Sequence, residues 1–146
     1  MSRYVKPVGF ALVAVFVAIQ FVPVQRTTGL GAGDVEASRE MKWILRRACY
    51  DCHSLESRWP IWAYVAPFSW RVVADVNRAR VALNFSDWAA YDRDRRVAMR
   101  STVAPITVSH RMPLWYYVTL HPDARLSQAD LALLGAWSRS AAAEPP

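Results

Sequence analysis

Two apolar patterns divide this chain. Residues 8–24 are apolar apart from Gly9, Gln20 and Pro23, a run with no polar face. From Asp34 onward the apolar positions recur at helical spacing instead. Met41, Ile44, Leu45 and Ala48 fall at i, i+3, i+4 and i+7, which predicts an amphipathic helix with Asp34 as its N-cap. A second helix is expected after Ser69, striped by Val72, Val76, Ala79 and Leu83. Asn84-Phe85-Ser86 interrupts the pattern, and Ser86 is placed to cap a third helix over residues 87–102. Ser127 and Asp130 hold capping-box-like positions at the start of a last helix, whose apolar face is Leu131, Leu134 and Trp137. Four helices and no sheet make the domain all-α. Residues 114–120 are the local exception, because Trp115-Tyr116-Tyr117-Val118-Thr119 is β-prone and suits a short strand.

At 1.5 Å per residue, residues 8–24 form a helix of roughly 25 Å, close to the hydrocarbon thickness of a bilayer. The expectation is an N-terminal transmembrane helix. Arg3 and Lys6 precede it and Arg26 follows, so the positive-inside bias puts the N-terminus in the cytoplasm. The remaining domain would then lie in the periplasm or outside, anchored to a bacterial inner membrane. A cleaved signal segment is the alternative, with Thr27-Thr28-Gly29 or Gly31-Ala32-Gly33 as a small-residue cleavage site. The expected organisation is an anchor or signal segment over residues 1–26, a flexible small-residue linker over 27–33, and one domain over 34–146.

Charge adds little to this picture. The chain has 18 Lys and Arg against 12 Asp and Glu, and setting aside Arg3, Lys6 and Arg26 lowers the formal charge from +6 to +3. No aromatic and basic motif of a nucleic-acid module is present, so no nucleic-acid partner is expected. Asp92, Arg93, Asp94, Arg95, Arg96 and Arg100 read as a solvated helix face with an Asp92–Arg96 pair, or as a docking patch for an acidic partner. Most of the seven tryptophans are expected in the core, Trp43 and Trp137 helping to pack the first helix on the last.

The chemistry sits in Cys49-Tyr50-Asp51-Cys52-His53, which contains both cysteines of the chain. In C-x-x-C-H two thiols on roughly one helical turn reach two haem vinyl groups, and the adjacent imidazole ligates iron. The expected cofactor is one covalent haem c. A zinc site fits less well, because His110 and His121 lack the short spacing of a finger. A thioredoxin-like pair would need a βαβ setting, and a disulfide here would close too small a loop to stabilise much.

His53 is expected to bind iron through Nε2 and to donate Nδ1–H to a carbonyl, with Pro60 as the candidate acceptor. The sixth ligand must come from far along the chain. Met112, in a loop beside Pro113, is the leading choice, with His110, His121 or an open position as alternatives. Arg58, Trp59, Tyr64, Trp70 and Arg71 follow the motif and are candidate donors to the haem propionates.

The domain resembles the small bacterial haem-binding domain family of cytochrome c type. The matching residues are Cys49-Tyr50-Asp51-Cys52-His53-Ser54, Arg58-Trp59-Pro60, Tyr64-Val65-Ala66-Pro67, Ser69-Trp70 and Leu83-Asn84-Phe85-Ser86-Asp87-Trp88. They resume at Met112-Pro113, Trp115-Tyr116-Tyr117 and His121-Pro122-Asp123-Ala124-Arg125-Leu126-Ser127, so that the likeness spans nearly all of residues 41–138. The resemblance implies a small cytochrome c-like helical domain around a single haem, attached at Cys49 and Cys52, with His53 proximal and Met112 distal. Single-electron transfer between redox protein partners is the function expected from it, without enzymatic bond chemistry. A haem sensor or a peroxidase-like protein with an open or labile sixth position is the second expectation, and a zinc-binding structural domain the third.

Overall fold

The computed structural model describes residues 5–140. Seven α-helices lie among them: α1 Val5–Ile19, α2 Arg39–Ala48, α3 Tyr50–His53, α4 Phe68–Ala82, α5 Arg93–Val108, α6 Trp115–Leu120 and α7 Gln128–Arg139. Short 3-10 turns occur at Ile61–Tyr64, Trp88–Ala90 and Pro122–Ala124. No strand forms among the described residues, only an isolated bridge between Gly33 and Asp87.

The core is an aromatic ladder between helices. Tyr50 of α3 stacks on Phe85 at 5.2 Å, Phe85 on Trp88 at 6.1 Å, and Trp88 meets Trp137 of α7 at 6.3 Å between ring centroids. Met41, Ile44 and Leu45 of α2 and Leu134 of α7 close around it, all buried. Burial at this level is worth about 1.5–3 kcal/mol for each large side chain. α7 begins with the capping box that its sequence predicts: the Ser127 hydroxyl accepts from the Asp130 N–H, and the Asp130 carboxylate accepts from the Ser127 N–H.

The N-terminal expectation is overturned. α1 has 15 residues, about 22 Å at the helical rise, and no helix among the described residues is long and apolar enough to cross a membrane. The apolar run continues to residue 24, but the helix stops at Ile19. The Gln20 side chain turns onto the domain, its amide accepting from the Ala66 N–H at 2.9 Å and donating to the Ala66 carbonyl at 3.2 Å. Pro23, with no N–H, cannot extend the helix. A transmembrane helix, and with it an inner-membrane anchor holding the domain in the periplasm, is therefore not supported.

The segment after α1 is a strap rather than a loose linker. Arg26 donates to the Ala63 carbonyl at 3.0 Å, the Gly29 N–H to the Leu55 carbonyl at 3.1 Å, and the Gly33 N–H to the Ser86 carbonyl at 3.0 Å. Other boundaries also move. α2 is capped by Ser38, whose hydroxyl accepts from the Met41 N–H at 3.2 Å, while Asp34 pairs with Lys42 at 3.1 Å and accepts from Tyr50. α5 is capped by Asp92, and Ser86 is occupied elsewhere, its hydroxyl accepting from the Leu55 N–H at 2.9 Å. Arg100, expected on a solvated face, donates to the Trp137 carbonyl at 2.8 Å and covers the Trp137 ring.

Residues 115–120 are helical, not extended. Tyr116, Tyr117, Leu120 and His121 thereby share one face, three or four positions apart, which a strand would have split. Of the tryptophans, Trp88 and Trp137 are buried, whereas Trp43 is 62% exposed under Arg47 and does not meet Trp137.

Candidate haem site

α2 ends at Ala48, and the chain turns at Cys49 into the single turn of α3, so that Cys49, Cys52 and His53 project from a short, pinned segment. His53 is held twice by the loop after α4. Its Nδ1 lies 3.0 Å from the Leu83 carbonyl, and its own carbonyl accepts from the Phe85 N–H at 2.7 Å. The acceptor is thus Leu83, thirty positions along the chain, rather than Pro60. With Nδ1–H donated there, Nε2 carries the lone pair. Burial disfavours the imidazolium and lowers the pKa of His53, outweighing the backbone acceptors, so the ring is in the neutral form an iron ligand requires.

Cys49 and Cys52 are not joined in a disulfide. Burial pushes the Cys49 thiol up to about 12 and the Cys52 thiol up to about 11, so neither is a ready thiolate.

Cys49, Cys52 and His53 border a cavity of about 250 Å³ that Met112, Pro113, Leu114 and Tyr117 also line. An adjoining cavity, also about 250 Å³, shares Cys52, Asp75, Leu114 and Tyr117 with it and continues between Trp59, Phe68, Val72 and Leu120. Together they fall in the size range of cofactor sites and are mainly apolar. Of the three residues considered for the far side of the iron, Met112 alone borders the cavity that carries His53. His110 is exposed and borders another cavity, which Met112 and Pro113 also line, and His121 stacks on Tyr117 in the adjoining cavity.

Two carboxylates stand in the walls, and sequence reasoning missed both. Asp51 receives the Arg58 Nε at 3.1 Å, the Arg58 Nη2 at 3.0 Å and the Tyr117 hydroxyl at 2.7 Å. Asp75 receives the Arg71 Nε and the Tyr116 hydroxyl, both at 2.9 Å, and also Arg78. Burial acts to raise both carboxyl pKa values, but these donors outweigh it and hold Asp51 and Asp75 below the ordinary range. Arg58 and Arg71 therefore border the cavity already paired. Trp59 lines it too, and its Nε1 is buried with no hydrogen-bond acceptor. Tyr64 and Trp70 line neither cavity. Tyr64 lies exposed under Arg26, and Trp70 sits off the α4 face formed by Phe68, Arg71, Val72, Asp75 and Val76.

The chain matches the family model of a haem-binding domain over residues 14–140, most of its length. It belongs to the haem-binding domain family. Comparison with curated proteins and with solved structures gives no match. Membership makes haem the cofactor. The residues present fit it: a neutral imidazole with Nε2 free of the Leu83 contact, two unpaired thiols beside it, apolar walls, and an indole N–H without an acceptor at the rim. Zinc fits poorly by comparison, because no group of three or more His, Cys, Asp and Glu among the described residues is arranged to hold a metal ion.

Proposed function

We propose that this haem-binding domain carries one covalently attached haem c and passes single electrons between redox protein partners. The observation that carries the reading is the convergence of Cys49, Cys52, His53 and Met112 on one cavity, with His53 fixed by the Leu83 carbonyl. Cys49 and Cys52 would form the thioether links, each adding its S–H across a vinyl group, so that the neutral thiols would be consumed in attachment. His53 Nε2 would hold the iron on one side and Met112 on the other. The haem supplies a ferric/ferrous couple, and the chain's own residues orient it, exclude water and set its potential. Trp59 Nε1 would be a donor to a propionate, and Arg58 and Arg71 would share their charge between propionates and their carboxylates. A thioether sulfur on the distal side favours the reduced form relative to a second histidine. No bond of a substrate is made or broken, so the protein acts as a carrier and not as an enzyme.

The test is haem retention and spectroscopy of protein produced with haem-attachment machinery. Wild type should keep its haem through acid-solvent extraction and show a low-spin ferric spectrum with a far-red methionine-to-iron band. Cys49→Ser/Cys52→Ser protein should release its haem into the solvent. Retained haem in that variant refutes attachment at these positions, and a high-spin ferric spectrum in the wild type favours a sensing or peroxidase-like role.

A further inference from the structure

Arg80 lines neither cavity and differs from the arginines that do. Arg58 is paired with Asp51, and Arg71 and Arg78 share Asp75. Arg80 instead gives its donors to neutral groups. Nε donates to the Ser54 carbonyl at 2.8 Å, and Nη2 to the Thr27 carbonyl and the Ser57 hydroxyl, both at 2.9 Å. Nη1 donates to the Thr27 hydroxyl, and the guanidinium stands 5.8 Å from the centroid of the Trp59 ring. Among the described residues, no carboxylate lies within ion-pair distance of it. Asp87 and Cys52 are within electrostatic reach but make no direct contact.

Its place is specific. Ser54 follows His53 directly, while Ser57 and Trp59 line the cavity beside Cys52. The half-buried guanidinium is thus clamped behind the attachment segment. Burial lowers its pKa, but an arginine keeps its proton in a protein. The planar fork explains why arginine serves here, since it reaches acceptors on the strap, the Ser54 carbonyl and the Ser57 hydroxyl at once.

We infer that Arg80 is a fixed positive charge, without an ionised partner, that raises the reduction potential of the haem held by Cys49, Cys52 and His53. The inference rests on the redox reading of the site. Reduction adds one electron, delivered by a donor redox protein or by an electrode, and lowers the net charge of the haem by one. No proton moves and no bond breaks. A cation nearby stabilises the reduced form more than the oxidised one, and a half-buried charge does so with less screening than a surface charge. A merely structural Arg80 would tie Thr27 to Ser54 and Ser57 without this effect.

Spectroelectrochemical titration of the haem-loaded full chain separates the two. At the wild-type midpoint, Arg80→Gln should lower the ferrous-to-ferric ratio about fivefold, while Arg80→Lys, which keeps the charge but not the fork, should stay within about twofold. Thr27→Asp leaves Arg80 in place and sets a carboxylate against it, so it should also lower the ratio, and neutral Thr27→Asn should not. The Thr27 pair keeps the test decisive if Arg80→Gln does not load haem. Equal shifts in the charged and neutral members of either pair overturn the role of Arg80. A wild type that binds haem without a reversible one-electron wave removes the redox reading itself, and this inference with it.

Discussion

The Leu83 carbonyl stands 3.0 Å from Nδ1 of His53, and this contact ties the C-terminal end of α4 to the turn that carries Cys49, Cys52 and His53. Two residues later the Phe85 N–H returns to the His53 carbonyl at 2.7 Å. The loop that makes both contacts is itself braced by Asn84. The Asn84 side chain accepts from the Ser86 N–H at 3.1 Å and donates to Asp87 at 2.6 Å, and its backbone N–H donates to the Tyr91 hydroxyl at 3.2 Å.

Asn84→Ala should therefore loosen the support of His53 without touching it. Removing two buried side-chain hydrogen bonds is expected to cost about 1–3 kcal/mol of stability. The haem should stay attached, since both cysteines remain, but its ferric spectrum should become a mixture of spin states as the imidazole loses its fixed orientation. Thermal unfolding and low-temperature magnetic resonance check the two halves. A destabilised variant with a single unchanged low-spin signal would mean that the loop holds the fold and not the ligand.

Met112 lines the same cavity as His53, and as the proposed distal ligand its replacement should expose the sixth position. In Met112→Ala the far-red ferric band should vanish, the potential should fall, and carbon monoxide or cyanide should bind faster than to wild type. Unchanged ligand access and potential would move the assignment to His121, which lines the adjoining cavity.

The local parts of this picture were legible in the sequence, and the long-range parts were not. Cys49, Cys52 and His53 are adjacent, so their chemistry needs no tertiary knowledge. The stripes of α2 and α7 and the Ser127/Asp130 capping box likewise depend on spacings of three and four residues. Pro60 is the acceptor expected for His53 by analogy with the proline-containing loop of small cytochromes, yet the acceptor comes from the far end of α4. Tyr64 and Trp70 group with the site only by lying just after the motif in sequence, and the helical phase of α4 turns Trp70 off the cavity face. β-propensity misassigned residues 115–120, which form a helix that brings the half-buried Tyr116 and Tyr117 to the same cavity. At residues 20–24 apolarity hid a side-chain contact, the Gln20 amide on Ala66.

The strap offers a sharp packing test at Gly31. A Cβ built there would lie 1.9 Å from the Ser86 carbonyl oxygen, far inside contact distance, and that atom is backbone. Gly31→Ala should displace the strap from the Ser86 turn, which also receives the Gly33 N–H. A loss of about 1–3 kcal/mol is expected, with faster amide exchange at Gly29 and Gly33. Wild-type stability and exchange would show that the strap contributes nothing to the folded domain.

Arg47 and Asp130 join α2 to α7, with Nη2 and the carboxylate 2.5 Å apart and both side chains nearly buried. Arg47 also donates to the carbonyls of Asp123 and Arg125. Burial acts to raise the Asp130 pKa, but Arg47 and the Ser127 N–H and hydroxyl outweigh it, so the group is held below the ordinary carboxylate range. A carboxyl depressed in the folded state contributes its stability in full above the unfolded value of about 3.9, and that contribution is lost as pH falls through the lower folded value. Asp130→Ala leaves Arg47 buried without its counter-ion and removes half of the capping box. It should cost about 3–5 kcal/mol near neutral pH, and the gap to wild type should narrow only below about pH 4, as the wild-type carboxylate takes up its proton. Chemical denaturation across that range measures the gap. A difference that stays constant to the lowest pH at which wild type folds would assign the loss to packing, and one that narrows already near pH 6 would require a titrating group other than Asp130.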